Sequence, residues 1–284
     1  VSPVPPERVA LTARDGLELV VHRWRAVSPR ATCVLVHGYA EHAGRYLALA
    51  GALSAEGLEV WAPDLRGHGL SPGRRADVAH FADYLDDQER LSDLVRAERP
   101  ELPHVVLGHS MGGTIALRFA LDHPERVSLL VLSAPFLRPT VPPPGWITGM
   151  AAALARLVPQ LPVQRVDAAV LSRDAAEVAA YRNDPLVYTG WIKARMGHEL
   201  VRSGPPLLER APELEMPTLI MHGAADGLND PQASRELAAR VGARDVTLTT
   251  YPGGYHELFN DLDRDAVTAD LLAWLDERLP PASS

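Results

Sequence analysis

Polar and apolar positions alternate over two short stretches near the start of the chain, Val9–Thr12 and Leu17–Trp24, with Asp15-Gly16 between them. A period of two fits a half-buried strand, and Asp-Gly suits a tight turn, so the pattern predicts a β-hairpin. Residues 32–36 then form an almost unbroken apolar run ending at His37-Gly38. A run without a polar face predicts a strand covered on both sides. Strands also follow at Leu58–Ala62, Val105–Gly108, Val127–Leu132, Thr218–Met221 and Val246–Thr250. Helical patterns separate them at Gly44–Glu56, Phe81–Glu98, Met111–Asp122, Gln232–Val241 and Arg264–Leu279. This alternation predicts an α/β fold, a mostly parallel sheet with helices on both faces.

The rhythm breaks between Phe136 and Pro212, where helical pieces and prolines occur without a convincing strand. So long a stretch without structure is unusual in a compact domain. It is therefore expected to be a helical cap or lid (136–212) inserted into a core formed by residues 1–135 and 213–284. Within it, Val141–Val163 carries Trp146, Ile147, Met150, Leu154, Leu157 and Val158, with Arg156 the only charge. Two readings stand side by side: a lid touching lipid or an acyl chain, and a helix packed on the core. The tail Pro280–Ser284 is expected to be disordered.

Composition narrows the partners. The net charge is −8, with no basic patch of the kind nucleic acid requires. Cys33 is the only cysteine, which excludes an intramolecular disulfide and a cysteine metal cluster. Its apolar neighbours predict a buried thiol. No stretch reaches the roughly 18 apolar residues of a membrane span, and VSPVPPERVA lacks a signal-peptide pattern. The expectation is a cytoplasmic protein, with transient membrane contact through the cap as its one membrane role. No metal or other cofactor is implied, and the oligomeric state is not encoded in any visible pattern.

The chemistry centres on Gly108-His109-Ser110-Met111-Gly112, with an apolar strand before it and a helix after it. This G-x-S-x-G pattern places a nucleophilic serine on a strained strand-to-helix turn, as in the α/β-hydrolase fold. Serine needs a base, and in this fold the order is serine, acid, histidine. His256, in a glycine-containing loop after the last strand, is the expected base in preference to His123, His198 and His222. Asp226, in the loop after Thr218–Met221, is the expected acid. Asp230 is its nearest competitor, but it precedes Pro231 and fits a helix N-cap better. The N–H groups of Met111 and Tyr39 are the expected oxyanion donors. His37 is expected to organise its loop, and Asp64 to brace the following loop through an ion pair with arginine.

HGYAEHAGRY (37–46), PDLRGHGLS (63–71), GHSMGG (108–113), LSAP (132–135), YRNDPLVYTG (181–190) and YPGGYHELFN (251–260) together span nearly the whole chain. The chain resembles the monoacylglycerol lipases, within the lysophospholipase-like α/β-hydrolases. The resemblance implies a triad of Ser110, Asp226 and His256, with Tyr39 and Met111 at the oxyanion hole. It also implies a glycerol-head pocket at Glu41, Arg45, His109 and Tyr181 and an acyl tunnel under the cap. Asn229 departs from the apolar residue or cysteine usual in the family, which bears on pocket size and selectivity. Tyr39 is bulkier than its counterpart in some relatives.

The expected activity is hydrolysis of a lipid ester, a monoacylglycerol to fatty acid and glycerol, through an acyl-enzyme. Lysophospholipase and short-chain carboxylesterase activities are the near alternatives. An aminopeptidase would place cap acids such as Asp174 or Glu177 at the site. An epoxide hydrolase or dehalogenase would need aspartate at position 110. A non-catalytic ligand-binding protein of the same fold is the reading from a different class.

Overall fold

The computed structural model describes residues 5–142 and 144–281, without the side chains of residues 146–148. The expectations for Trp146, Ile147 and the last three residues of the tail lie outside this range, as does the start of the N-terminal segment.

The strands are β1 (Glu7–Thr12), β2 (Glu18–Trp24), β3 (Ala31–Val36), β4 (Leu58–Pro63), β5 (His104–His109), β6 (Leu129–Ser133), β7 (Pro162–Gln164), β8 (Ile192–Lys193), β9 (Thr218–Gly223) and β10 (Val246–Tyr251). The helices are α1 (Leu47–Ala55), α2 (Ala82–Glu98), α3 (Met111–Asp122), α4 (Gly145–Leu157), α5 (Ala175–Asn183), α6 (Ala194–Ser203), α7 (Pro205–Arg210), α8 (Pro231–Arg240) and α9 (Arg264–Asp276). Eight strands form one sheet in the order β1-β2-β4-β3-β5-β6-β9-β10. The β1–β2 hairpin is antiparallel, β2 runs antiparallel to β4, and the remaining pairs are parallel. The hairpin turns at Gly16, whose φ of 85° suits a residue without Cβ.

Side-chain alternation divides the core between the two faces of the sheet. Cys33, Leu35, Val105 and Leu107 pack with α1 and α9, through residues such as Leu53, Leu271 and Trp274. Val34 and Val36 face the other way and pack with Ile115 of α3 and Leu91 of α2. Val106 and Leu130 join Leu117 and Phe119 on that same side. Because β3, β4, β5, β6 and β9 are buried along their whole length, their sequences read as continuous apolar runs. The Cys33 thiol is fully buried, which pushes its pKa up to about 12.

The chain between β6 and β9 holds α4 to α7 together with β7 and β8, which pair in an antiparallel ladder. That ladder differs from the strand-free expectation, because strands of two and three residues are too short to set up a readable period. Several bonds tie the segment to the sheet domain: His42 Nε2 to Asp184 (2.8 Å), Tyr188 N–H to the Ala40 carbonyl (2.8 Å), and Arg195 to Asp77 (2.6 Å).

Candidate active site

Ser110 links β5 to α3 with φ 54° and ψ −118°. A non-glycine residue in this region costs on the order of 1–3 kcal/mol and persists only where its surroundings enforce it. Here they do so through backbone bonds: Ser110 N–H donates to Ser133 O (3.0 Å), and its carbonyl accepts from Thr114 N (3.1 Å) and Phe136 N (3.0 Å). The glycines permit the close approach. A Cβ on Gly108 would lie 2.2 Å from Gly112 O, and one on Gly112 would lie 2.1 Å from Val36 O.

Asp226 stands in the turn after β9 and is buried. Its Oδ1 accepts from the amides of Leu228 (2.8 Å) and Asn229 (3.0 Å). Its Oδ2 meets His256 Nδ1 at 2.7 Å and His222 Nε2 at 3.1 Å. Burial alone would raise the pKa of Asp226, but the two imidazoles that bond to it hold the carboxyl well below the usual range. With Nδ1 of His256 bonded to this carboxylate, Nε2 is the ring nitrogen left to act as a base. Burial pulls the His256 pKa down, the Asp226 charge and hydrogen bond push it up, and the net result is raised. The far nitrogen of His222 meets Ser234 Oγ at 2.7 Å, so Ser234, His222, Asp226 and His256 form one hydrogen-bonded row.

The loop after β3 is held by side-chain bonds. His37 Nε2 accepts from Leu65 N (3.0 Å), so Nδ1–H donates to Gly38 O (2.7 Å). Burial, together with neighbouring His68, keeps His37 neutral, with a pKa of about 3. Glu41 Oε1 accepts from Gly38 N (2.6 Å) and Tyr46 OH (2.7 Å). Among the described residues, the amides of Tyr39 and Met111 have no hydrogen-bond acceptor.

Ser110 and His256 line one cavity of about 550 Å³, whose wall comes from the loops after β3, β5, β9 and β10 and from the inserted segment. Among the expected site residues, Tyr39, Glu41, His109 and Tyr181 also line it, whereas Arg45, Met111 and Asp226 stand behind the wall. The Arg45 guanidinium lies 4.8 Å from the Tyr181 ring centroid. The His109 ring is 4.7 Å from that of His256, and burial holds its pKa well below the ordinary value. Around Ser110 stand the polar side chains of Glu41, His109, Asn229 and His256. Phe136, Val163, Val166, Ile192, Leu200 and Val201 make much of the rest apolar.

One sequence expectation changes. Asp64 pairs not with an arginine but with His22 (3.2 Å), and it accepts from the amides of Ala43 (2.9 Å) and Leu70 (2.8 Å). Burial works to raise its pKa, but these bonds hold it at about 2. Nearby Arg66 instead engages Asp87 and Asp15, because β2 places His22 beside β4 before the loop turns. Asp174 caps α5 and pairs with Arg264 (2.9 Å), and Glu177 lies near the same arginine. Neither belongs to the cavity wall. Asp230 does cap α8, accepting from Gln232 N at 2.9 Å.

Two wall residues, Glu257 and Asn229, were not expected there as binding groups. Asn229 Nδ2 donates to Ala134 O (2.6 Å) and lies 3.4 Å from Ser110 Oγ. Its departure from the family pattern was the only sequence signal for it. Glu257 follows the expected base directly, but its ion pair with Arg45 joins residues 212 positions apart.

The profile of the Hydrolase_4 family, described as "Serine aminopeptidase, S33", matches residues 27–263. A monoacylglycerol lipase from Mycolicibacterium smegmatis is 39% identical over 261 residues, which span 92% of this chain and 93% of that one. The crystal structure of a monoacylglycerol lipase from Paleococcus ferrophilus aligns with a TM-score of 0.82 and 30% identity, over 92% of this chain and 99% of that one. A soluble variant of the Saccharomyces cerevisiae monoglyceride lipase, solved in complex with a substrate analogue, aligns with a TM-score of 0.87 and 26% identity, over 99% and 97% of the two chains.

Proposed function

The chain belongs to the Hydrolase_4 family of α/β-hydrolases, alongside monoacylglycerol lipases, and we propose that it hydrolyses monoacylglycerols to fatty acid and glycerol through a Ser110–His256–Asp226 triad. The observation that carries this reading is the shared cavity, lined by Ser110, His256 and a few other polar groups within a mostly apolar wall. Such a space suits an ester with a small hydroxylated head and a long acyl chain.

In this account Ser110 Oγ attacks the ester carbonyl while His256 Nε2 takes its proton. The Tyr39 and Met111 N–H groups hold the oxyanion. His256 returns the proton to the departing glycerol oxygen, leaving an acyl-enzyme. Water then attacks in the same way and frees the fatty acid and Ser110. Asp226 keeps the imidazole in the required tautomer and stabilises the imidazolium.

Residues 136–212 serve as the cap of a core made of residues 1–135 and 213–284. Met150 and Leu157 of α4 are 50% and 77% exposed, and Val141, at the cavity wall, is 79% exposed. These side chains support transient contact with a lipid surface from which substrate enters. No helix among the described residues is long and apolar enough to cross a membrane. Asp174 and Glu177 do not line the cavity, so the cap acids considered for an aminopeptidase do not hold a substrate amine there.

Turnover of monoacylglycerol, lysophospholipid and short nitrophenyl esters tests the reading. Monoacylglycerol is expected to give the highest kcat/KM, and Ser110→Ala is expected to lower turnover by about 10⁴ or more. Retained turnover in Ser110→Ala, or a clear preference for lysophospholipid, contradicts it.

A further inference from the structure

Arg45 has a buried side chain, held between two carboxylates that line the cavity. Glu41 Oε2 lies 3.3 Å from Arg45 Nε, and Glu257 bonds the terminal nitrogen. All three side chains are buried. Glu41 and Glu257 face the cavity, and Arg45 lies behind it. Asn260 Nδ2 donates to Glu257 at 3.2 Å, which fixes that carboxyl from the other side. Glu41 Oε2, although buried, accepts no hydrogen bond.

We propose that Glu257 is a specificity-determining residue that neutralises Arg45 and closes the head pocket to anionic head groups, admitting neutral and cationic ones. The proposal rests on the ester-hydrolase reading above. Its physical basis is charge balance in a poorly solvated space. A phosphate needs unspent positive charge or several free donors. The Arg45 guanidinium is spent on two carboxylates, and the residues of this trio that line the cavity are the acids Glu41 and Glu257. Burial and neighbouring Glu41 raise the Glu257 pKa against the pull of Arg45. Two carboxylates face one guanidinium, so with Glu257 ionised the trio carries no surplus positive charge for an anion. Hydroxyl or ammonium groups can donate to these oxygens.

The test compares three esters with the same acyl chain: a 1-acylglycerol, its 3-phosphate, and an ester of 3-amino-1,2-propanediol. The neutral and cationic esters are expected to have kcat/KM within about tenfold of each other, with the phosphate at least about 100-fold lower, the scale of one uncompensated charge near the ligand. Glu257→Gln, which keeps the shape, is expected to narrow the gap between neutral and anionic esters by about tenfold. Equal turnover of neutral and phosphorylated esters by the wild type overturns the proposal, as does an unchanged ratio in a folded Glu257→Gln. A second pair serves if no glycerol ester is cleaved, an outcome that contradicts the monoacylglycerol reading alone. Nitrophenyl butyrate and its 3-carboxy-4-nitrophenyl analogue place a neutral and an anionic leaving group in the same pocket. Preference for the neutral one, reduced in Glu257→Gln, supports the proposal. No preference in the wild type overturns it.

Discussion

His256 is pulled in two directions. Burial favours its neutral form, and the Asp226 carboxylate at 2.7 Å favours its charged form and prevails. A general base works only when neutral. The acid limb of the kcat/KM profile should therefore have its midpoint above 6.5, the ordinary histidine value. Asp226→Asn removes the strongest of the influences that oppose burial, leaving only Glu257 and Glu41, so the midpoint should fall below that of the wild type while activity drops by about 10⁴. A pH–rate profile of both proteins checks this, and a wild-type midpoint below 6.5 counts against the assignment. That Asp226 bonds His256 and that His256 shares a cavity with Ser110 was foreseeable because chain order and strand–loop context single these residues out. Asp64 was misread because its partner His22 arrives from a neighbouring strand, a juxtaposition no local motif records. Glu257 escaped notice for the same reason, since its meaning depends on Arg45 lying far away in sequence.

The buried strands and the helices α1, α2, α3, α8 and α9 could be read from periodicity, with ends shifted by a few residues. The shifts have local causes: a 3₁₀ turn precedes α1 at Ala43–Tyr46, and another at Pro124–Arg126 delays β6. The inserted segment was legible as helical but not in detail, because its elements are short and its apolar residues serve both packing and exposure. For α4 the two sequence readings were a lid and a packed helix. Ala155 is buried, whereas Met150 and Leu157 are exposed, so the helix presents apolar side chains in both directions. If the outer side meets lipid, Met150→Asp with Leu157→Asp should weaken binding to phosphatidylcholine vesicles by about tenfold or more. Hydrolysis of a soluble nitrophenyl ester should stay within about twofold, since neither residue lines the cavity. Sedimentation with vesicles reads the first, and unchanged sedimentation contradicts lipid contact by this helix.

At the scale of the whole molecule, a mostly parallel sheet brings the ends of β3, β5, β9 and β10 to one edge, and the segment between β6 and β9 completes the cavity there. Alternating strands and helices made the sheet foreseeable. The order β2-β4-β3-β5 was not, because it depends on which strands pair across crossovers. In the proposed reading the architecture assembles the chemistry: Ser110, strained at one strand end, would be the nucleophile, His256 and Asp226 at two others its base and acid, and the loop at a fourth would bring the amide of Tyr39. The most direct test of that assembly is intact-protein mass spectrometry after treatment with a fluorophosphonate. The account predicts one phosphonyl adduct, located on Ser110 by peptide mapping, absent in Ser110→Ala and formed at least about 100-fold more slowly in His256→Ala. An adduct on another residue, or none on a folded wild-type protein, would contradict it.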